Sequence, residues 1–282
     1  MTRVQGKARR ALPVVIAWVV LLLLGAFGFL PLVVMVTTSF KPADQIFRIP
    51  PEFLPSSPTL DHYIGVLTDS AMPRAIATSA AVAALVAVVT LLIGSGTGYA
   101  IARLRFRGAS GLSVALLLGQ LLPITVLMLP VFQVVARLGL IDTIPGVALA
   151  HLTVVVPLVT WMLTTAFSGA PIELEEAAMV DGCGRPRAVW NVVLPVVAPS
   201  LVAVGIFAFL QSWNEFIFAS VISRSANSKT APVALTDFAG QFSTDWGATM
   251  AAATIVSLPM VVAFMIVQRF FVEGLASGAV KG

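Results

Sequence analysis

The chain has 282 residues, of which 58% are hydrophobic and 11% charged, and its mean hydropathy is +0.98. Soluble domains carry roughly 25% charged residues, so a water-soluble fold is excluded and lipid is the expected solvent. One cysteine, Cys183, excludes an internal disulfide and a multi-cysteine metal site; two histidines are too few for most zinc or haem chemistry; and a net charge of +4 without a basic, aromatic-interleaved patch points to orientation in a bilayer rather than to nucleic acid.

The N-terminus, "MTRVQGKARRALPVVIAWVVLLLL", pairs a basic tail with an apolar run. That run stays uncharged from Ala11 to Phe40, much longer than the roughly 7–15 residues of a signal-peptide core, so it reads as a retained first span. Five further runs follow, and the six together centre on 13–36, 76–101, 112–136, 145–167, 197–222 and 248–268. Each reaches the length of about 20 helical residues that a bilayer requires, and all are too long for barrel strands. The expected fold is an all-α polytopic membrane protein of six transmembrane helices. "GSGTGYA", Gly94 to Ala100, is a small-residue stretch that lets two helices approach closely.

Lysine and arginine set the expected topology. With the N-terminus inside, eleven of them fall in inside segments and six in outside segments, the bias that bilayer insertion favours. Both termini and the segment between spans four and five are then cytoplasmic, and the loops 41–73 and 223–247 face outward. The corresponding organisation is a cytoplasmic tail at 1–12, a transmembrane domain at 13–271 with a loop at 168–196, and a cytoplasmic tail at 272–282. The outer loops read equally well as ordered connectors or as a surface for an extracytoplasmic partner.

The inside loop holds a compact charged island, "PIELEEAAMVDGCGRPRAVWNVVLPVVAPSL". Pro171 suits a helix start. Glu173, Glu175 and Glu176 suit the positive end of its dipole. Gly182 suits its end. A second short helix is expected from Arg185-Pro186 through Trp190 to Leu194-Pro195, with Pro195 and Pro199 bending the chain back to the membrane. Ala177 and Ala178 permit close approach, and Met179, Val180 and Trp190 are apolar groups for a partner's pocket. Physics alone leaves open whether anything docks there or the island is a surface connector.

The spacing adds a resemblance. Glu176-Ala177-Ala178, three residues, Gly182, nine residues, then Val192-Val193-Leu194-Pro195 resembles the EAA loop of ABC-importer permeases, and Asp181-Gly182 matches too. "TTSFKPADQIF", "LDHYIGVL", "SWNEFIFA" and "QRFFVEGLASGAVKG" resemble the carbohydrate-uptake branch, specifically the smaller, six-helix permease of maltose-transporter type. Thr78, Cys183 and Trp190 stand where Asn, Ala and Phe are common in that branch. The resemblance implies a multi-pass permease of the bacterial inner membrane that translocates a sugar or oligosaccharide delivered by an extracytoplasmic binding protein. It implies a second, homologous permease and two copies of an ABC ATPase. Glu175, Glu176, Ala177, Ala178, Asp181, Gly182, Arg185, Trp190, Leu194 and Pro195 would form the loop coupled to that ATPase. The chain has no phosphate loop of its own, so it is expected to be non-catalytic and to bind no cofactor, with ATP and magnesium used by the partner. The tail from Glu273 would reach the ATPase as well, or fray as a free terminus.

A second constellation is "SWNEFIFA" in span five. An ionisable group inside a span suggests function by its cost, so Trp213, Asn214 and Glu215 are the candidate pathway residues; the alternative is a structural cluster against the companion permease. His151 and Gln120 read as interhelical hydrogen-bonding groups. An ion-coupled secondary transporter of a small polar solute is the competing class, but it leaves the charged loop without a role. An intramembrane enzyme is disfavoured because no Ser–His pairing or convergence of polar residues is evident from spacing.

Overall fold

A computed structural model describes residues 3–104, 106–239 and 244–279, with side chains described from Ile16 to Ile266 and at Gln268. Among the described residues thirteen α-helical segments follow one another: α1 (Arg3–Ser39), α2 (Ala43–Ile46), α3 (Asp61–Thr68), α4 (Met72–Arg103), α5 (Ala109–Leu121), α6 (Ile124–Arg137), α7 (Ile144–Gly169), α8 (Ile172–Val180), α9 (Arg185–Ala188), α10 (Leu194–Trp213), α11 (Ile217–Ile222), α12 (Ala231–Leu235) and α13 (Trp246–Ala279). Among the described residues the only β pairing is an isolated bridge between Ala239 and Thr244. Among the described residues five helices are long and apolar enough to cross a membrane, and six if the bent pair α5–α6 is counted as one span, which is the number expected. Helix α1 begins at Arg3, inside the expected N-terminal tail, and α13 runs on to Ala279 through most of the expected C-terminal tail. The side chains from Arg269 onward, and residues 280–282 altogether, lie outside the described residues.

The chain divides into two compact units. One comprises residues 1–70 and 238–255, the other 71–237 and 256–282. In the first, the loop after α1 is pinned by its own polar groups. Gln45 Nε2 donates to Ser57 Oγ at 2.7 Å, Gln45 Oε1 accepts from the Ser56 amide at 3.2 Å, and Ser39 Oγ meets the Tyr63 hydroxyl at 2.7 Å. The buried Lys41 ammonium donates to the Glu52 carbonyl. The loop after α1 is thus ordered by contacts within itself.

The second unit is built around α4, α7 and α10. Its core contains Val82, Val86, Val147, Val159, Leu163, Phe167 and Ala208. Gly94 and Gly98 lie four apart on α4 and face α7: a Cβ at Gly94 would stand 3.1 Å from Val159 Cγ1, and one at Gly98 would stand 3.0 Å from the Thr164 amide nitrogen. Gly96, two residues from each, has open space. The small-residue stretch is therefore a one-sided packing face, as close helix crossing in lipid requires.

Two spans depart from the straight helices expected. Span three breaks between α5 and α6 with a bend of 106°. Pro123 supplies no amide for the ladder, and it pushes Leu122 into an extended conformation with ψ 129°, the usual effect of proline on its predecessor. Span five breaks at Asn214–Phe216, between α10 and α11. Conversely, the second short helix of the charged island does not end at Leu194-Pro195. A π-helical turn at Val189–Val193 joins α9 to α10, with the Leu194 amide bonded to the Val189 carbonyl. The wide turn makes room for a proline ring that would clash in a regular α turn, so Pro195 continues the helix. The return to the span is therefore not made at Pro195; the turn in the chain lies earlier, at Gly182–Gly184.

Candidate functional site

Helix α8 starts after Pro171, whose ψ of 127° lies outside the helix. It stops in a Schellman arrangement: the Gly182 amide bonds the Met179 carbonyl at 3.1 Å and the Cys183 amide bonds the Ala178 carbonyl at 3.0 Å. Gly182 adopts φ +90°, a conformation that glycine reaches without penalty. Gly184 then receives the amides of Arg187 and Ala188, which opens α9.

The candidate loop residues separate into two sets. Glu175 and Ala178 are buried, and Leu194 is half-buried. Glu176, Ala177, Asp181, Gly182, Arg185, Trp190 and Pro195 are exposed, as is Val180. Val180 is 87% exposed and Trp190 73%, an unusual outlay of apolar surface beside charged residues. Glu175 turns inward instead. Its Oε1 accepts a hydrogen bond of 2.7 Å from the Tyr99 hydroxyl at the end of α4 and lies 3.4 Å from Arg185 Nε. Its Oε2 is buried with no hydrogen-bond partner among the described residues. Arg103, one turn beyond Tyr99, donates from Nη2 to the Ala170 carbonyl just ahead of α8. Tyr99 and Arg103 escaped the sequence reading, since their partners are 76 and 67 residues away. The only local hint was two polar groups in the last turns of a span.

The second constellation surrounds the break in span five. Glu215 accepts the Phe218 amide on Oε1 at 2.8 Å and the Ala219 amide on Oε2 at 3.0 Å. It thereby caps α11 from within the chain. His151 of α7 places Nε2 2.9 Å from Glu215 Oε2, off the direction of a straight hydrogen bond, and Nδ1 2.8 Å from Ser212 Oγ. Polar residues therefore do converge here, and a Ser–His pair exists, contrary to the spacing argument. It is no hydrolytic site, because Ser212 is 3% exposed, His151 is fully buried, and both oxygens of Glu215 serve the break. Trp213 is buried; its indole N–H donates to the Val256 carbonyl at 3.2 Å and its ring stacks on Phe209. Asn214 is exposed and caps back onto the Leu210 carbonyl at 2.9 Å. Gln120 donates to the Val154 carbonyl at 2.9 Å, so Gln120 and His151 both bond between helices as expected. The cavities of about 610 and 370 Å³ in this unit are apolar grooves, the first between α7 and α10 and the second at the α5–α6 bend, and neither is lined by Trp213, Asn214 or Glu215. Among the described residues no three His, Cys, Asp or Glu side chains come together as metal ligands.

A third cluster was not foreseen. Asp142, between α6 and α7, accepts on Oδ1 from the amides of Arg224 and Ser225, both at 2.9 Å, and from the Ser228 hydroxyl at 2.5 Å. These donors hold its carboxyl well below the usual carboxylate range.

Residues 92–277 match the family described as the binding-protein-dependent transport system inner membrane component. The chain belongs to that family. The permease is 33% identical to the diacetylchitobiose uptake system permease protein DasC of Streptomyces coelicolor, over 89% of this chain and 91% of that one. It is 34% identical to the trehalose transport system permease protein SugB of Mycobacterium tuberculosis, over 94% and 97%. In three dimensions it is similar to a chain of a bacterial ABC transporter involved in import of the acidic polysaccharide alginate, with a TM-score of 0.77, 22% identity, and 94% and 98% coverage; that similarity concerns the fold alone. The resemblance read from the EAA-type loop is thus confirmed at the family level. The permease is a multi-pass inner-membrane protein of a binding-protein-dependent transport system, and the secondary-transporter and enzyme readings fall away.

Proposed function

We propose that the permease passes a sugar or oligosaccharide through the membrane while the corner formed by α8 and α9 couples it to a cytoplasmic ABC ATPase. The observation that carries this reading is the exposure of Val180 at the end of α8 and of Trp190 in the turn after α9, on either side in sequence of Gly182 and Gly184, which have open space around them, with Glu176 and Asp181 also exposed. A short helix with exposed Ala177 and Val180, followed by the exposed Trp190 of the next helical segment, suits a groove on a soluble partner. The ATPase is present in two copies and a second, homologous permease completes the pathway. The nucleotide and its magnesium belong to the ATPase, and this chain binds no cofactor. The eleven-to-six bias of Lys and Arg supports a topology with this corner and both termini inside. A carbohydrate cargo is supported by the names of relatives that carry diacetylchitobiose and trehalose. In span five, Trp213 and Glu215 shape the pathway by holding the break between α10 and α11, and Asn214, the exposed member, is the one to face the path or the companion permease.

The experiment is affinity purification of the native complex from membranes, with the ATPase quantified and its turnover measured. Glu176→Lys, or Val180→Asp with Trp190→Ala, is expected to cut ATPase retention at least tenfold while the permease still inserts. Retention at the native level in both variants overturns the docking reading. For the cargo, the binding protein loaded in turn with trehalose, maltose, diacetylchitobiose and alginate oligosaccharides is expected to stimulate ATP turnover with at least one of them. Stimulation by none, with a non-sugar solute active instead, removes the carbohydrate assignment.

A further inference from the structure

The docking reading leaves Glu175 unexplained. It is the middle acidic residue of α8's first turns, yet it is 3% exposed, so no partner surface reaches it. A buried carboxylate is costly unless its surroundings compensate. What compensates this one comes from α4 and α9. The Tyr99 hydroxyl donates to Oε1 at 2.7 Å, and Arg185 Nε stands 3.4 Å from the same oxygen. A second tie lies beside it, where the Arg103 guanidinium holds the Ala170 carbonyl in the linker between α7 and α8. Tyr99 also meets the Phe167 ring edge-on at 5.8 Å, and Gly98 seats α4 on the α7 backbone while Gly94 packs on the Val159 and Leu163 side chains.

We propose that Tyr99, Glu175 and Arg103 form a rigid joint that fixes α8 to the end of α4, so that displacement of α8 by a partner moves α4 and α7 with it. Glu175 and Glu176 then divide the work. Glu176 faces the partner, and Glu175 is a positioning residue that never touches it. The inference rests on the docking reading above, in that the displacement comes from the ATPase. The joint itself is a property of this chain alone.

The test uses the native complex in lipid discs, with Cys183→Ser as background and spin labels at Glu173→Cys on α8 and Leu92→Cys on α4. With the joint intact, the distance distribution is narrow and stays unchanged between the nucleotide-free state and the state trapped with MgATP and vanadate. Glu175→Leu is expected to broaden it at least twofold in both states. In the same preparations Glu175→Leu retains the ATPase and its unstimulated turnover but loses at least threefold of the stimulation by the binding protein carrying a stimulatory sugar. Glu175→Gln keeps the side-chain shape and an acceptor for the Tyr99 hydroxyl. It is expected to restore the narrow distribution and at least half of the stimulation, which guards against a mere folding defect. Tyr99→Phe added to Glu175→Leu is expected to do no further damage. A narrow distribution in Glu175→Leu overturns the joint, as does an intact pair that itself widens on trapping. Loss of the ATPase from Glu175→Leu at unchanged distance would make Glu175 a docking residue. Should the native complex carry no ATPase, the docking reading fails, while the nucleotide-free width still decides the joint.

Discussion

Adjacent acidic residues in α8 meet opposite surroundings, whereas Glu215 and Asp142 share one role, each accepting backbone amides of a neighbouring segment. Glu215 supplies acceptors that the broken backbone of span five lacks, because the Phe218 and Ala219 amides have no carbonyl to bond one turn back. Glu215→Ala leaves the Phe218 and Ala219 amides without their acceptor in an apolar interior, at about 1–3 kcal/mol for each buried group left unsatisfied. A clear fall in the detergent melting temperature is expected, with Glu215→Gln falling less because one acceptor remains. Uptake by Glu215→Gln is expected to stay within a fewfold of native; a variant of native stability but abolished uptake would return the carboxylate to the solute path. Asp142 gives a pH dependence of definite sign. Its folded pKa lies below the unfolded value of about 4, so it stabilises its loop at every pH above that value and loses the contribution only as pH falls through the folded pKa. Proteolysis of the 223–228 loop is therefore expected to be flat from pH 8 down to about 4, and Asp142→Ala is expected to cleave faster throughout that range. The existence of a costly charge at Glu215 was legible in sequence, since any carboxylate in an apolar run stands out. Its partners were not, because His151 and Ser212 meet only through the crossing of α7 and α10.

Glycine and proline behave differently at the level of elements. Gly182 and the small-residue face of α4 do what their local chemistry dictates. Gly182→Ala meets no steric obstacle, since nothing lies within 4 Å, but it must hold φ +90° at a cost of about 1–2 kcal/mol. It is expected to weaken coupling partially, where Gly182→Pro, with φ fixed near −65°, abolishes it. Gly98→Leu is a harsher test, because its Cβ meets α7 backbone rather than a movable side chain. Overpacking costs typically about 1–3 kcal/mol, so its melting temperature is expected to drop by several degrees while Gly96→Leu, pointing into open space, stays native. An equal drop in both would mean that the α4–α7 crossing is looser than these distances require. Proline was less legible. Pro123 breaks its span, whereas Pro130, Pro157, Pro199 and Pro259 sit inside continuous helices, and Pro195 is absorbed by a π turn. The residue itself is the same; what differs is whether neighbouring backbone can take up the unpaired carbonyl and the displaced ring, which no single sequence displays.

At the scale of the whole molecule, the remaining question is which ends of the spans share a face, and contacts within the second unit answer it by pairs. Tyr99 and Arg103, at the end of α4, meet 170–175, so the second span ends where the α8 corner lies. Asp142, ahead of α7, meets 222–228, and Ser79 near the start of α4 accepts the Ala231 amide at 2.7 Å. Within the second unit, therefore, the 170–175 segment lies against one end of α4 and Ala231 against the other, and the charge bias makes the end with 170–175 the expected inside. Labelling of single cysteines by a membrane-impermeant maleimide tests that choice. In a Cys183→Ser background, Asn227→Cys, exposed beside the Asp142 staple, is expected to react in intact right-side-out cells. Val180→Cys is expected to react only in inverted vesicles, and to be shielded there when the ATPase is present. Reaction of Val180→Cys in intact cells would invert the topology and place the α8 corner beyond the reach of any cytoplasmic ATPase. Shielding of Val180→Cys that survives removal of the ATPase would instead leave the topology intact and identify another occupant of the same corner.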